Sequence, residues 1–265
     1  MEFTVMTFNL RTFTGRDGDN VWPNRFRRVA RTIEDIAPSV IGVQEAHREM
    51  LHDLEPLLQN YRWLGEGREV GLTGELCAIW YNEAEIGIKE QGQFWLSEEP
   101  DRVGSRGWDG QCTRICTWAR MYLKAEPRNE FYMFNTHLDH RGQIARENGI
   151  ALIWRKISER RAALALPAVL TGDFNVTPDN PVIRFMRGLQ ELDGERAQMT
   201  DAYTALEGAP GATYHGFRGG SEGEPIDYIF VTPDVRVLHT AIDRRTIDGG
   251  YPSDHYPVIA RIRLP

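Results

Sequence analysis

The sequence predicts an α/β protein in which two mixed β-sheets pack face to face and helices cover the outside. Short runs of β-branched and aromatic residues recur along the whole chain and alternate with segments of helical periodicity. The composition is that of an ordinary globular protein, with 41% hydrophobic and 26% charged residues. Because no low-complexity linker or block of charge interrupts this pattern, we expect one domain over residues 1–265.

The amino-terminal third alternates strands and helices. Residues 3–10 alternate in polarity as a strand does. A helix is predicted to begin near Asn24, a favoured N-cap residue, and to end before Pro38, which cannot continue it. A short buried strand at 40–43 and a second helix at 46–58 complete this part.

A β-rich middle and a mixed final third follow. Their predicted strands span 76–81, 86–94, 115–123, 131–136, 167–171, 227–231, 235–240 and 258–264. Their predicted helices are 143–161, which is the most clearly amphipathic segment of the chain, and 181–189.

The charge balance limits the kind of partner. A net charge of −7 argues against dependence on non-specific contacts with a nucleic-acid backbone, because such proteins present a basic face. A small phosphorylated molecule or a short nucleic acid remains open as a substrate, since a metal ion can supply local positive charge. No protein partner is predicted.

Several features favour a cytoplasmic location. No apolar run approaches the ~20 residues of a membrane helix, and the amino terminus begins directly as a strand, without a signal-peptide pattern. The cysteine number is odd, and Cys112 and Cys116 are not spaced as zinc ligands. We therefore expect no membrane segment and no zinc site.

Polar residues stand at the ends of six predicted strands, where the core gains nothing from them. They are Asn9, Gln44 with Glu45, His137, Asp173 with Asn175, Asp227, and Asp254 with His255. Ligand sites in sheet proteins favour strand ends. Carboxylate and amide oxygens suit Mg²⁺ or Mn²⁺, and a histidine held by a carboxylate can donate to an anion or move a proton.

Each of these residues also has an ordinary structural explanation. Asn9 is a common turn residue, Glu45 suits the first turn of a helix, and His137 suits a packed core. Asp173 could open an Asx turn, and Asp227 could be a charged strand entry. One shared site explains the complete set better than these separate explanations do.

Six motifs occur in a characteristic order between Asn9 and His255. They are Thr7-Phe8-Asn9-Leu10, Val43-Gln44-Glu45, Asn135-Thr136-His137-Leu138, Gly172-Asp173-Phe174-Asn175, Ile226-Asp227-Tyr228-Ile229 and Ser253-Asp254-His255. This ordered set resembles the endonuclease/exonuclease/phosphatase superfamily of DNase-I-like, metal-dependent phosphoesterases. The resemblance implies a four-layer α/β sandwich that hydrolyses a phosphoester with Mg²⁺, or alternatively Mn²⁺, by in-line attack of water.

The resemblance also implies how metal and water are held. Glu45 would be the principal metal ligand, supported by Asn9 and Asp254. Asp173 would position the attacking water, and Asn175 would contact the phosphate beside it.

Two histidines complete the implied machinery. His255, backed by Asp227, would stabilise the charge that develops on the phosphate. His137 would act near the leaving oxygen, and Glu75 would orient it.

Two arginines are predicted at the substrate phosphate. Arg25 ends a Trp-x-x-Arg segment that is similar to one in nocturnin-like and bacterial members of the superfamily. Arg114 lies in a segment loosely similar to one of the inositol phosphatases, but that segment lacks their Asp. Arg114 could therefore contact phosphate or form a salt bridge at the mouth of its strand.

These observations predict a metal-dependent phosphodiesterase of nuclease-like type. The alternative within the same chemistry is a phosphomonoesterase acting on a sugar phosphate or an inositol phosphate, and the acidic charge balance favours a small substrate of this kind. A non-catalytic binding module on the same fold would show eroded motif positions, and none is eroded.

Overall fold

Two six-stranded sheets form the centre of the molecule in the computed structural model, which describes residues Met1–Pro265. The strands are β1 (Glu2–Asn9), β2 (Val40–Gln44), β3 (Tyr61–Leu64), β4 (Ile79–Asn82), β5 (Ile86–Trp95), β6 (Ile115–Leu123), β7 (Glu126–His137), β8 (Ala168–Asp173), β9 (Thr200–Asp201), β10 (Asp227–Val231), β11 (Arg236–Ile242) and β12 (Val258–Arg263). The helices are α1 (Trp22–Ile36), α2 (Arg48–Leu54), α3 (Gln143–Ala163) and α4 (Pro181–Met186). None of these four helices has the combined length and hydropathy of a bilayer-spanning segment.

Both sheets are mixed. The first has the order β11-β12-β1-β2-β4-β3, and the second has the order β5-β6-β7-β8-β10-β9. Only β1 with β2 and β7 with β8 pair in parallel, and every other neighbouring pair is antiparallel. The parallel pairs occupy the middle of each sheet. Parallel strands need a long crossover connection, and here each crossover contains a helix, α1 between β1 and β2 and α3 between β7 and β8.

Three hydrophobic cores separate four layers. One core lies between the sheets and includes Val5 of β1 and Val169 of β8. A second packs α1 and α2 against the outer face of the first sheet, with Ile33 and Ile41 in the same cluster. A third packs α3 and α4 against the second sheet. The predicted four-layer α/β sandwich is confirmed, and coverage on both faces explains why β2 is buried along its whole length.

The sequence predictions differ from the structure mainly at short elements. The edge strands β3 and β9 were not predicted, because they are only four and two residues long. The helix predicted at 46–58 is shorter, since His47 is extended and Ala46 forms an isolated bridge with Leu76. Asn24 lies inside α1, which begins at Trp22 and has a proline in its first turn.

A buried polar network joins the two sheets close to their polar strand ends. Gln44 Nε2 donates to Asn135 Oδ1 at 2.7 Å, and Thr171 Oγ1 donates to the same oxygen at 3.1 Å. Asn135 Nδ2 donates to the main-chain oxygen of Val43 at 2.8 Å. Gly42 permits this approach, because a Cβ there would lie 2.5 Å from Asn135 Oδ1. These buried hydrogen bonds hold the two sheets in one arrangement, although Gln44 Oε1 has no hydrogen-bond partner.

Candidate active site

The polar strand ends converge on a concave pocket of about 410 Å³. Eight of the predicted residues line it: Glu45, Glu75, Arg114, His137, Asp173, Asn175, Asp254 and His255. Asn9 and Asp227 lie directly behind this lining, hydrogen-bonded to Glu45 and to His255 respectively. The structure therefore brings together ten of the eleven residues that the sequence singled out, and Arg25 is the exception.

Three lining residues have a left-handed backbone. Arg11, Glu45 and Asn175, which follow β1, β2 and β8, have φ values of 57°, 55° and 53°. Such a conformation is uncommon for residues other than glycine and concentrates at functional sites. Each of the three lies within two residues of a strand end, and its side chain lines the pocket.

Asn9 connects the two sheets through its amide nitrogen. Its Nδ2 donates to Glu45 Oε1 at 3.0 Å and to Asp173 Oδ2 at 2.9 Å. Its Oδ1 accepts from the backbone N–H of Arg11 at 2.9 Å. The role predicted for Asn9, support of the metal ion, requires its oxygen. The observed amide instead presents its nitrogen to both carboxylates, and its oxygen accepts from the N–H of Arg11.

Glu45 and Asp254 form the carboxylate side of the pocket. Glu45 Oε2 accepts from the N–H of Thr12 at 2.9 Å. The guanidinium of Arg11 lies 3.9 Å from Glu45 Oε2 and 3.6 Å from Asp254 Oδ2, so both carboxylates face one positive charge. Burial raises the pKa of Asp254. Burial also opposes ionisation of Glu45, but the charge of His255 and the Thr12 N–H outweigh it and lower the pKa of Glu45.

His255, Asp227 and Asp173 form a buried group of ionisable side chains, which Asn9 links to Glu45. His255 Nδ1 lies 2.9 Å from Asp227 Oδ2, and His255 Nε2 lies 3.8 Å from Asp173 Oδ2. Burial opposes the charged imidazolium, but Asp227 and then Asp173 outweigh it and raise the pKa of His255 to about 10. Burial, followed by repulsion from Asp227, raises the pKa of Asp173. The imidazolium is thus held positive at the pocket wall at neutral pH.

His137 is equally buried but is held neutral. Burial, and then the positive charge of Arg114, lower the pKa of His137 well below its ordinary value. Its Nε2 lies 2.9 Å from Asn175 Nδ2 and 3.5 Å from Asp173 Oδ2. Its Nδ1 is buried and has no hydrogen-bond partner.

Glu75 does not orient His137 as the sequence analysis expected. It lines the same pocket, but its Oε2 accepts from Arg68 Nη1 at 2.6 Å. A nearby guanidinium offers a carboxylate a stronger partner than a neutral imidazole does. The partner of Glu75 is therefore Arg68, and not His137 as the sequence predicted.

Arg114 faces the pocket with free hydrogen-bond donors. Its side chain is 7% exposed, and its Nε and Nη1 atoms are buried without a partner. Its remaining nitrogen, Nη2, lies 3.3 Å from His140 Nδ1, and Asp139 Oδ2 is 3.9 Å from its Nε. Both alternatives for Arg114 stay predictions, since its Nε lies 3.9 Å from Asp139 Oδ2 and two of its nitrogens have no hydrogen-bond partner.

Arg25 is a structural residue rather than a phosphate contact. It is fully buried, and its guanidinium donates to the main-chain oxygens of Leu10, Arg11, Asn20 and Pro252. These bonds fasten α1 to the loop after β1 and to the segment before Asp254. The structure does not bring Arg25 to the pocket that its predicted contact with substrate requires: the residue is 0% exposed, and each of its three nitrogens already donates to a main-chain oxygen.

Sequence reasoning assigned no role to seven residues of the pocket lining, among them Arg11, Arg68, His140 and Tyr214. Two of them lay within reach of the motifs, since Arg11 is two residues after Asn9 and His140 is three after His137. Arg68 and Tyr214 lie in loops that carry no pattern of their own. Only the fold brings them to the pocket.

The sequence profile of the Endonuclease/Exonuclease/phosphatase family matches residues 6–255. The chain belongs to this family. A solved family structure from Bacteroides vulgatus is 35% identical, has a TM-score of 0.90, and aligns over 100% of both chains. A mannosyl-6-phosphatase from Bacteroides thetaiotaomicron is 32% identical, has a TM-score of 0.90, and aligns over 99% of this chain and 100% of its own.

More distant relatives include nocturnin of Drosophila melanogaster, which is 26% identical over 220 residues and 71% of this chain. The match covers 32% of the length of that nocturnin and 47% of the length of protein angel from the same organism. Human nocturnin has the same fold, with a TM-score of 0.77 at 17% identity. Family members are hydrolytic phosphoesterases, so the predicted enzyme class is confirmed at that level.

Members of the family generally use a divalent metal ion. The donor set of this pocket fits such an ion, because the carboxylates of Glu45 and Asp254 already face a shared cationic group, Arg11. Carboxylate oxygens are the ligands that Mg²⁺ and Mn²⁺ prefer. Single ligand atoms of Glu45, His137 and Asp173 also lie within 4.8 Å of one another.

Proposed function

We propose that this chain is a metal-dependent phosphatase that hydrolyses a small phosphomonoester, with a sugar phosphate as the favoured substrate class. The observation that carries the proposal is that carboxylates and a carboxylate-held imidazolium line one pocket. Glu45 and Asp254 line it together with His255, whose ring Asp227 holds. A phosphate in this pocket would be within reach of a bound cation and of a fixed positive charge. We also propose that residues 1–265 form one catalytic domain.

Asp173 is assigned to the attacking water. Asn9 and the backbone N–H of Asn175 each donate to it at 2.9 Å, so its two oxygens are held in a defined orientation. Burial raises its pKa, which brings it closer to the range in which a carboxylate accepts a proton efficiently near neutral pH. It would take the proton of the water as the water attacks phosphorus.

His255 and Arg114 are assigned to the phosphate oxygens. His255 is positively charged, and its Nε2 is directed away from Asp227. Arg114 offers two unused donors on the pocket lining. Preorganised donors aimed at developing charge are the main protein contribution to phosphoryl transfer.

His137 is assigned to positioning. Because its pKa is low, it is neutral, and its Nε2 can accept from the Asn175 amide. This contact holds Asn175 beside the reacting phosphate. The sequence expectation placed His137 near the leaving oxygen, and the observed contact favours an orienting role instead.

Glu45 and Asp254 would hold Mg²⁺, with Mn²⁺ as the alternative. Bound there, the ion would polarise a phosphoryl oxygen and offset developing negative charge. Asn9 would hold Glu45 in place through its amide nitrogen. Arg11 is close to both carboxylates and would move aside or share them with the ion.

The substrate class rests on three considerations. The pocket volume suits a small molecule, and the net charge of −7 does not favour a long nucleic acid. The mannosyl-6-phosphatase relative, aligned over nearly all of both chains, supports a monoester. The sequence analysis favoured a phosphodiester, and this remains the second candidate because the chain also matches nocturnin at 26% identity.

The test is a turnover screen with Mg²⁺ or Mn²⁺ against sugar phosphates, inositol phosphates, oligonucleotides and bis-p-nitrophenyl phosphate, with and without chelator. We expect metal-dependent release of phosphate from monoesters. Turnover of diesters alone would establish the second candidate, and no turnover of any ester would contradict both.

The metal position is tested by Glu45→Gln, with Glu34→Gln on the exposed face of α1 as the matched control. We expect Glu45→Gln to shift the Mg²⁺ titration of activity, and of thermal stability, to at least about tenfold higher concentration. Glu34→Gln should leave both titrations unchanged. An unshifted Glu45→Gln titration would place the ion elsewhere.

A further inference from the structure

Tyr214 is an aromatic residue half-exposed beside the charged histidine. Its side chain lines the pocket, and 48% of the residue is exposed. Its ring centroid lies 5.1 Å from that of His255, with the two rings inclined at 58°. Large apolar side chains usually gain by burial, so one left open at the wall of a pocket indicates a surface that a ligand can cover.

The backbone around Tyr214 is fastened to the catalytic residues. Tyr214 forms an isolated bridge with His255, and the N–H of His215 donates to the oxygen of Asp254 at 2.8 Å. The neighbouring Thr213 Oγ1 accepts from the backbone N–H of Asp227 at 3.2 Å. The backbone that carries the ring is therefore held at a fixed position relative to His255.

The side chain of the next residue, His215, is buried instead of exposed. His215 is 7% exposed, and its ring stacks on Tyr256 at a centroid distance of 3.9 Å. Adjacent side chains of an extended segment point to opposite faces. His215 consequently anchors the segment from inside, while Tyr214 is left on the pocket side.

The remaining pocket lining is almost entirely polar. Its apolar members are Cys112, Tyr214 and Ile226, and Ile226 immediately precedes Asp227. Tyr214 and Ile226 are both close to the His255–Asp227 pair. Both line the pocket that is assigned to the phosphate, so they are available to the organic part of an ester.

We propose that Tyr214 stacks on the ring of the alcohol esterified to the phosphate and so selects sugar phosphates over acyclic phosphate esters. This inference rests on the proposed phosphatase function. The ring faces of sugars carry C–H groups that pack against an aromatic face, whereas an acyclic ester offers no flat surface of that size. Stacking in the bound state lowers KM and leaves the chemical step unchanged.

The test compares wild type, Tyr214→Ala and Tyr214→Phe on mannose 6-phosphate and glycerol 3-phosphate with saturating Mg²⁺. For Tyr214→Ala we expect KM for mannose 6-phosphate to rise about tenfold, the size of one aromatic stacking contact, with kcat within about twofold. KM for glycerol 3-phosphate should change less than about twofold, and Tyr214→Phe should match wild type because it keeps the ring.

The outcomes separate this inference from the function on which it rests. Wild-type turnover of neither ester overturns the proposed phosphatase, and the role of Tyr214 with it. Wild-type turnover with an unchanged KM in Tyr214→Ala, or an equal rise of KM for both esters, overturns the role of Tyr214 alone. A loss of kcat on both esters, with a lowered melting temperature, also overturns it, since that result assigns Tyr214 to the support of His255.

Discussion

The surroundings of His137 and of His255 differ in ways that change the chemistry of each ring. Both histidines are buried, at 6% and 5% exposure, and both line the same pocket. Yet the pKa of His137 lies well below its ordinary value, and that of His255 is raised to about 10. Burial acts in the same direction on both rings. The Asp227 carboxylate is 2.9 Å from His255, whereas Asp173 is 3.5 Å from His137, whose pKa the charges of Arg114 and Arg68 also lower.

The region around His137 does contain the carboxylates of Glu75 and Asp139, but both are hydrogen-bonded to other groups. Glu75 accepts from Arg68. Asp139 accepts four backbone N–H groups, those of Gln111, Cys112, Arg141 and Gly142, at 2.8 to 3.0 Å. A buried histidine therefore becomes a fixed cation where a carboxylate is free to contact it. It becomes a neutral acceptor where the nearby carboxylates are bonded to other groups.

Removing the Asp227 charge should have the largest effect. In Asp227→Asn, burial of His255 would no longer be opposed by a contacting carboxylate, and we expect its pKa to fall toward that of His137. The phosphate would lose a fixed positive charge, so kcat should fall about a thousandfold. The measurements are kcat on the best monoester and the His255 titration by NMR in metal-free protein.

Asp201→Asn is the control for this variant, because Asp201 is a buried aspartate that pairs with Arg187 rather than with a pocket residue. Its kcat should stay within about twofold of wild type. A kcat of Asp227→Asn within tenfold of wild type, or an imidazole that stays charged at neutral pH, would contradict the comparison of the two histidines.

Removing the charge of Asp139 should have an intermediate effect, which would be seen in the free energy of unfolding. Burial opposes its ionisation, but the four backbone N–H groups outweigh it and lower the pKa of Asp139 to about 2. The charged carboxylate therefore contributes stability above its ordinary pKa of 3.8, and this contribution is lost as the pH falls toward 2. Asp139→Asn should reduce the free energy of unfolding by about 2 kcal/mol at pH 7.

The measurement is chemical denaturation of wild type and Asp139→Asn at several pH values between 7 and the acid limit of the fold. We expect the difference between the two proteins to narrow below about pH 4. Asp234→Asn, an exposed aspartate that pairs with Arg161, should show a small difference throughout. A difference for Asp139→Asn that stays constant with pH would mean that the charge of Asp139 is not what stabilises the loop.

Removing Arg68, the partner of Glu75, should have the smallest effect. It should raise the pKa of His137 and so make this ring more like His255. In Arg68→Gln, Glu75 loses its guanidinium partner, and His137 loses a positive charge that lowers its pKa. We expect the His137 pKa to rise and kcat to fall severalfold, because a charged ring no longer accepts from Asn175.

NMR titration of His137 together with kcat would test this variant. Arg62→Gln breaks a comparable arginine–glutamate pair, Arg62 with Glu83, on the exposed surface and should change neither quantity. If the His137 pKa does not rise in Arg68→Gln, then burial and Arg114 alone keep this ring neutral.

Much of the site could be predicted because its residues follow strands that have clear patterns of their own. Asp173, His137 and Asp227 each border a run of apolar residues, and the order of the motifs is retained along the chain. The choice of partners could not be predicted in this way. Asn9 and Asp173 are 164 residues apart and still share a hydrogen bond, and Glu75 meets Arg68 inside a loop without periodicity.

The sequence by itself determined the layered α/β architecture, the family, and the polar residues that meet in the pocket. These properties depend on hydrophobic periodicity and on motif order, both of which are local. Only the tertiary structure decided that Arg25 is enclosed by main-chain oxygens, that the Asn9 nitrogen faces the carboxylates, and that Glu75 pairs with Arg68. Those outcomes depend on differences of a few ångströms between competing donors, because charge-assisted hydrogen bonds form only at short range.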